Sequence, residues 1–184
     1  MKKVILIAAA ALMTLSASAQ NLKFDHVNFN ELVMLQPAAD SARAQLAASQ
    51  QDAQDTFKSM QDELQAKYSQ YQQKANTWTP AIRESKEKEL QDIQNRIEEF
   101  NQSIQQELQQ QQSQLMAPIQ QKAVEVVHKL AKEGGFIYVF EEGSLLYVDK
   151  AQSVDLTPAA RKALNIPEGR TLETLQQELQ AKQQ

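Results

Sequence analysis

Between Leu35 and Leu130 the apolar residues recur at spacings of four, three and four, in a segment rich in Gln and almost free of Gly. Ala42, Leu46, Ser49, Ala53, Phe57, Met60, Leu64, Tyr68, Tyr71 and Ala75 follow the rule, with Ser49 the only polar member. It resumes through Ile93, Ile97, Phe100, Ile104, Leu108, Gln111, Leu115, Ile119, Ala123, Val126 and Leu130, with Gln111 out of pattern. One break, Asn76-Thr77-Trp78-Thr79-Pro80, divides the two runs. A chain so patterned forms a long helical hairpin. Such a hairpin is too thin to hold an enzyme's pocket, which points to a mechanical or binding role.

The spacing repeats every eleven residues, about 3.67 per turn against 3.6 for a straight helix, so the arms should pair as nearly straight or gently right-handed rods. An arm of about 40 residues reaches roughly 60 Å at 1.5 Å per residue. The short break makes the helices antiparallel neighbours. Thr79 is placed to cap the second arm, and Pro80 occupies its first turn, where a missing amide costs nothing. Pro118 falls inside the second arm and favours a bend. It is either a tolerated kink or an arm hinge. Glutamine on the outer faces sustains a solvated helix without strong fields, and the intact apolar period argues against reading the tract as prion-like.

The ends carry different information. Lys2 and Lys3, the apolar run Val4–Leu15 and Ala17-Ser18-Ala19 have the form of a cleaved export signal, with the mature chain expected from Gln20. The alternative is an uncleaved anchor. There is no cysteine, so thiol chemistry and disulfide staples are excluded, and stability must come from packing or association. Losing the two leader lysines moves the formal charge from -4 to -6. An acidic chain lacks the basic footprint of a general nucleic-acid binder.

Outside the arms the period changes. Leu22–Phe29 approximates strand alternation, with a phase slip in the middle. Gly134-Gly135 should stop the second arm. Phe136–Phe140, a turn at Glu141-Glu142-Gly143-Ser144, and Leu145–Val148 then read as a β-hairpin. Thr157 and Pro158 suggest the cap and first residue of a short helix ending before Pro167. Thr171–Lys182 suggests another, with Leu172, Leu175 and Leu179 on one side. Three short strands bury too little to stand alone, so several copies are expected to pool them in an obligate oligomer.

No catalytic constellation emerges, and no cofactor is expected. His26 and His128 are the only histidines, neither in metal-ligand spacing. His26 is an ordinary strand histidine or, in a symmetric oligomer, part of a shared site. Between residues 67 and 88, Lys67, Lys74, Arg83, Lys86 and Lys88 outnumber Glu84 and Glu87, which makes the hairpin tip cationic. The cluster is a candidate binding rim or ordinary charge mixing. Trp78, the only tryptophan, either staples the arms or touches a partner.

The order and spacing of these pieces resemble the OmpH/Skp family of periplasmic chaperones. The resemblance runs from about Leu22 to Leu164. It rests on the opening strand with Asn30-Glu31-Leu32 and Pro37, on Leu115-Met116-Ala117-Pro118-Ile119, and on the closing run. That run is Glu133–Phe140, Leu145–Asp149 and Asp155-Leu156-Thr157. It implies an α+β, mostly α chain: a long antiparallel helical hairpin (37–133, tip near 76–80) projecting from a small β-rich trimerisation body (20–36 and 134–167). A signal peptide (1–19) precedes these and a C-terminal helical extension (168–184) follows. Three copies would form a jellyfish-shaped homotrimer, with Phe24, Val27, Phe136, Tyr138, Phe140, Leu146 and Val148 as body and interface candidates.

The implied activity is that of an ATP-independent periplasmic holdase enclosing unfolded outer-membrane β-barrel proteins. No nucleic acid takes part, and membrane contact is left open. Lys67, Lys74, Trp78, Arg83, Lys86 and Lys88 are the client-contact candidates. Acidic overall charge and the Leu172–Leu179 segment depart from the family pattern, and no lipopolysaccharide site is carried over. The alternative function is a structural periplasmic spacer or adaptor, which would bind a folded partner and ignore unfolded chains.

Overall fold

The computed structural model describes residues 23–181, so the expected leader, Leu22 and Lys182 lie outside the described residues. In chain order the elements are β1 (Phe24–Val27), α1 (Phe29–Met34), α2 (Pro37–Lys74), a single 3-10 turn (Ala75–Thr77) and α3 (Pro80–Gly134). They continue with β2 (Tyr138–Glu141), a second 3-10 turn (Glu142–Ser144), β3 (Ser153–Asp155), α4 (Thr157–Ala163) and α5 (Leu172–Ala181).

The two long helices are the predicted arms. Pro37 starts α2, and Pro80 starts α3 behind Thr79, whose hydroxyl accepts from the Ile82 amide at 3.4 Å. Helix α3 ends at Gly135, which takes the left-handed conformation (φ 69°). Its amide donates to Lys132 O and that of Phe136 to Ala131 O, the paired bonds that close a helix C-terminus. Pro118 stands within one unbroken helix.

The sheet departs from expectation. Its order is β2-β1-β3, and β1 pairs in parallel with both neighbours, Phe24 opposite Tyr138 and Ser153. The expected hairpin between Phe136–Phe140 and Leu145–Val148 does not form. A 3-10 turn carries the chain away after β2, Leu146 and Val148 belong to no strand, and the third strand is Ser153–Asp155 instead. The reversal that delivers β3 comes at Asp149, whose carboxylate accepts from the Ala151 amide at 2.9 Å. Central β1 offers each partner a free edge, so β2 and β3 have no need of one another.

Two further local corrections concern caps. Thr157 does not cap α4: Leu156 holds that position without a side-chain bond. The Thr157 hydroxyl instead accepts from the Asn28 amide at 2.9 Å, tying α4 to the end of β1. Helix α1 begins at Phe29, the last residue of the expected first strand, and is capped by Asn28, whose Oδ1 accepts from Glu31 N at 2.9 Å.

The core lies where the arms meet the sheet. Val27, Leu32, Val33, Leu35, Ala39, Ala42, Ile119, Ala123, Val127, Leu156, Ala160, Leu164, Ile166 and Leu175 form one buried cluster from β1 and all five helices. Buried Gln36 donates from Nε2 to Leu32 O (2.9 Å) and Ile119 O (3.2 Å), pinning the start of α2 to α3 one residue past Pro118.

Candidate functional site

The arms meet along the predicted stripe, but burial along it is partial. Beyond Ala42 and before Ile119 only Ile93 is fully buried, and the other stripe members are half-buried or, like Tyr68, exposed. Two helices alone cannot surround a side chain. The seam therefore uses the stripe to hold the arms together and leaves the Gln-rich flanks to solvent. The two polar members of the stripe meet: Gln111 Nε2 donates to Ser49 Oγ at 2.9 Å across the seam. Each irregularity in the pattern thus supplies the other's hydrogen-bond partner.

At the tip, Trp78 packs edge-on against Tyr71, ring centroids 5.9 Å apart, and joins the turn to the first arm. Lys67 and Lys86 both donate to Glu89, at 2.5 and 2.7 Å. These hydrogen bonds hold the Glu89 carboxyl down at about 2 and raise Lys67. Arg83 donates to Ala75 O at 3.0 Å, closing the end of the first arm, and Tyr71 donates to Glu87. Lys74 and Lys88 are exposed.

Glu89 lies one residue beyond the cationic stretch 67–88. Counting Glu89 sets five cations against three carboxylates, and two of the lysines are spent within the hairpin. Arg96–Glu63, at 2.9 Å, is a further cross-arm pair that stripe reasoning did not single out.

On the body, Phe24 stacks on Tyr138 (6.4 Å, 7°), and Phe140 lies 6.5 Å from Phe24. These three rings share one face of the sheet and keep 39, 59 and 42% of their surface. Leu146 is fully exposed and Tyr147 nearly so. Val27 is buried and Phe136 packs against the core, so of the interface candidates these two face inward. His26 is buried, with Nδ1 2.9 Å from Ser153 Oγ, a partner within its own sheet.

The opposite face of β1 carries Asp25, 1% exposed, with neither carboxylate oxygen hydrogen-bonded. Burial pushes its carboxyl up to about 6, His26 opposes that and Asp155 adds to it. An open groove of about 560 Å³ lies where α1 crosses α3, lined by Phe29, Val33, Met34, Met116 and Val127 among others. No described helix is long and apolar enough to cross a membrane.

No curated protein matches the chain. Among solved structures it is similar to an OmpH-like outer membrane chaperone candidate from Caulobacter crescentus CB15. That likeness has a TM-score of 0.70 at 14% identity and covers 78% of this chain and 84% of the other, a likeness of fold. The family profile described as "Outer membrane protein (OmpH-like)" matches residues 23–164, which takes in both arms, the sheet and α4. The chain therefore belongs to the OmpH-like family, a periplasmic chaperone family and not a family of enzymes.

Proposed function

We propose that this chain is an ATP-independent periplasmic holdase that encloses unfolded outer-membrane β-barrel proteins between the arms of a homotrimer. The observation that carries the reading is the division of apolar surface. The arms use their stripe on each other, whereas the sheet leaves Phe24, Tyr138 and Phe140 exposed on one face. An aromatic face of this kind suits burial against further copies, and three copies joined there would hold three hairpins around a common space. The mostly polar flanks would then contact a client through many weak, exchanging interactions whose sum gives useful affinity. Release needs no nucleotide if folding into the membrane drives it.

The test is dilution of a urea-unfolded outer-membrane β-barrel into buffer with and without the purified protein. The reading expects the barrel to stay soluble at a fixed ratio of one client per trimer. Aggregation of several such clients at the same rate as without the protein would sink it and favour a spacer.

A further inference from the structure

Residues 165–181 lie beyond the span matched by the family profile. They turn back through two left-handed residues, Asn165 (φ 55°) and Gly169 (φ 77°), either side of Pro167. The turn delivers α5 to the base of the first arm. Thr171 and Thr174 cap its start reciprocally, each hydroxyl accepting from the other's amide at 3.0–3.1 Å. Leu175 enters the core, and Leu172 and Leu179 pack against it.

One ionic clamp ties this segment to the arm. Arg170 donates from both terminal nitrogens to the two oxygens of Asp40, each at 2.6 Å, and only 17% of its side chain is exposed. A bidentate pair of this kind, with the guanidinium largely desolvated and the Asp40 carboxylate still 39% exposed, fixes direction as well as distance. Arg43 grips the same carboxylate at 2.5 Å and Met34 O at 3.0 Å. Burial works to raise the Asp40 carboxyl, but the hydrogen bonds and charges of Arg170 and Arg43 outweigh it and hold it below its ordinary value. Arg161 braces the turn, donating to Glu31 and to the carbonyls of Pro167 (3.0 Å) and Arg170 (2.7 Å).

Past the clamp the fit is loose. A crevice of about 560 Å³ remains between α5 and the arm, beside Leu46, Ala47, Gln50 and Leu179. Arg43 Nη1 and Arg170 Nε are buried without partners, a standing cost of the docked state. The contact is thus strong at one point and incomplete around it.

We infer that α5 is a releasable brace: docked through Arg170 and Asp40, it sets the angle at which the first arm leaves the body. Released, it lets the hairpin swing. The inference concerns arm geometry and stands whether or not the holdase reading does.

The test uses the absence of cysteine. Spin labels at Gln65→Cys on the arm and Lys150→Cys on the body are placed in one chain, diluted into unlabelled chain. Gln65 lies about 42 Å along the helix from Pro37, so a tilt of about 10° at the base moves it by about 7 Å. Arg170→Ala, Leu175→Asp and the near-isosteric Asp40→Asn should each broaden the distance distribution and displace it by that order, with helix content retained. An unchanged distribution in all three overturns the inference. So does loss of helix content in all three, because α5 would then be an obligate part of the core.

Discussion

The base of the molecule and its arms use the same kinds of apolar residue to different depths. At the base, Leu32, Leu35 and Ala39 are wholly removed from solvent, because elements approach them from several sides. Along the arms Phe57, Met60, Leu64, Ile97 and Ile104 stop halfway, because a helix pair offers one neighbour. Labour is divided accordingly: the base supplies stability, and the arms supply reach while keeping most of their surface available. Ile93, buried beside the Arg96–Glu63 and Lys67–Glu89 pairs, is the exception that locks the outer half of the seam.

The largest effect is expected at the base. Leu35→Ala should lower the unfolding free energy by about 2–5 kcal/mol, the range for a buried leucine, whereas Met60→Ala in the arm should cost well under half as much. Equal losses in urea melts would erase the distinction. Asp25 tests the base in the opposite sense. Its carboxyl is raised in the folded state from 3.8 to about 6, so its burial costs nothing at pH well below 3.8, and wild-type stability falls as pH rises from there through 6 and then levels off. Asp25→Asn should remove that fall, gaining about 2–3 kcal/mol at pH 7.5 and almost nothing at pH 3.5. Melts that track each other across this range would exclude it.

Smaller effects sharpen the picture of the seam. Gln111→Leu should cost about 1 kcal/mol by leaving Ser49 half-buried without its partner, and Ser49→Ala with Gln111→Leu should recover most of it. A double variant no more stable than the single one would show that the two do not work as a pair. At the tip, Lys67→Ala should leave the urea midpoint almost where it is, as loss of an exposed ion pair does. Reversing Lys74, Arg83 and Lys86 to Glu should weaken client capture at low salt but not at high salt, measured as residual turbidity. Capture that is indifferent to the reversal would reduce the cationic tip to ordinary surface.

The arms were legible because a helix period persists over many turns, and their ends carried strong chemistry: Thr79-Pro80 at one start and Gly135 at a stop. Short elements were not. Leu145–Val148 has strand composition, but the 3-10 turn at Glu142–Ser144 carries it off the unpaired edge of β2, and Ser153–Asp155, with little strand signal, takes the place on the other side of β1 because the turn at Asp149 aims it there. Helix α1 was missed although Asn28 and Glu31 stand at capping-box spacing; the apolar alternation of Leu22–Phe29 took in its cap and first residue, and six residues carry too little period to show alone. At the tip, charge counting could not see which acid each lysine would find. The Ser49–Gln111 contact was hidden for a related reason, since each looked like an error until the arms were laid side by side.

The claim that arms with a closed seam hold clients on their flanks is tested most directly by photo-crosslinking. Photoreactive residues at the exposed positions Gln65 and Gln105, at half-buried Leu64 in the seam, and at buried Leu35 would be compared with an unfolded β-barrel bound. The account predicts crosslinks from both flank positions, few from Leu64 and none from Leu35. Crosslinks strongest at Leu64, as from an opened seam, or absent from both flanks would contradict it.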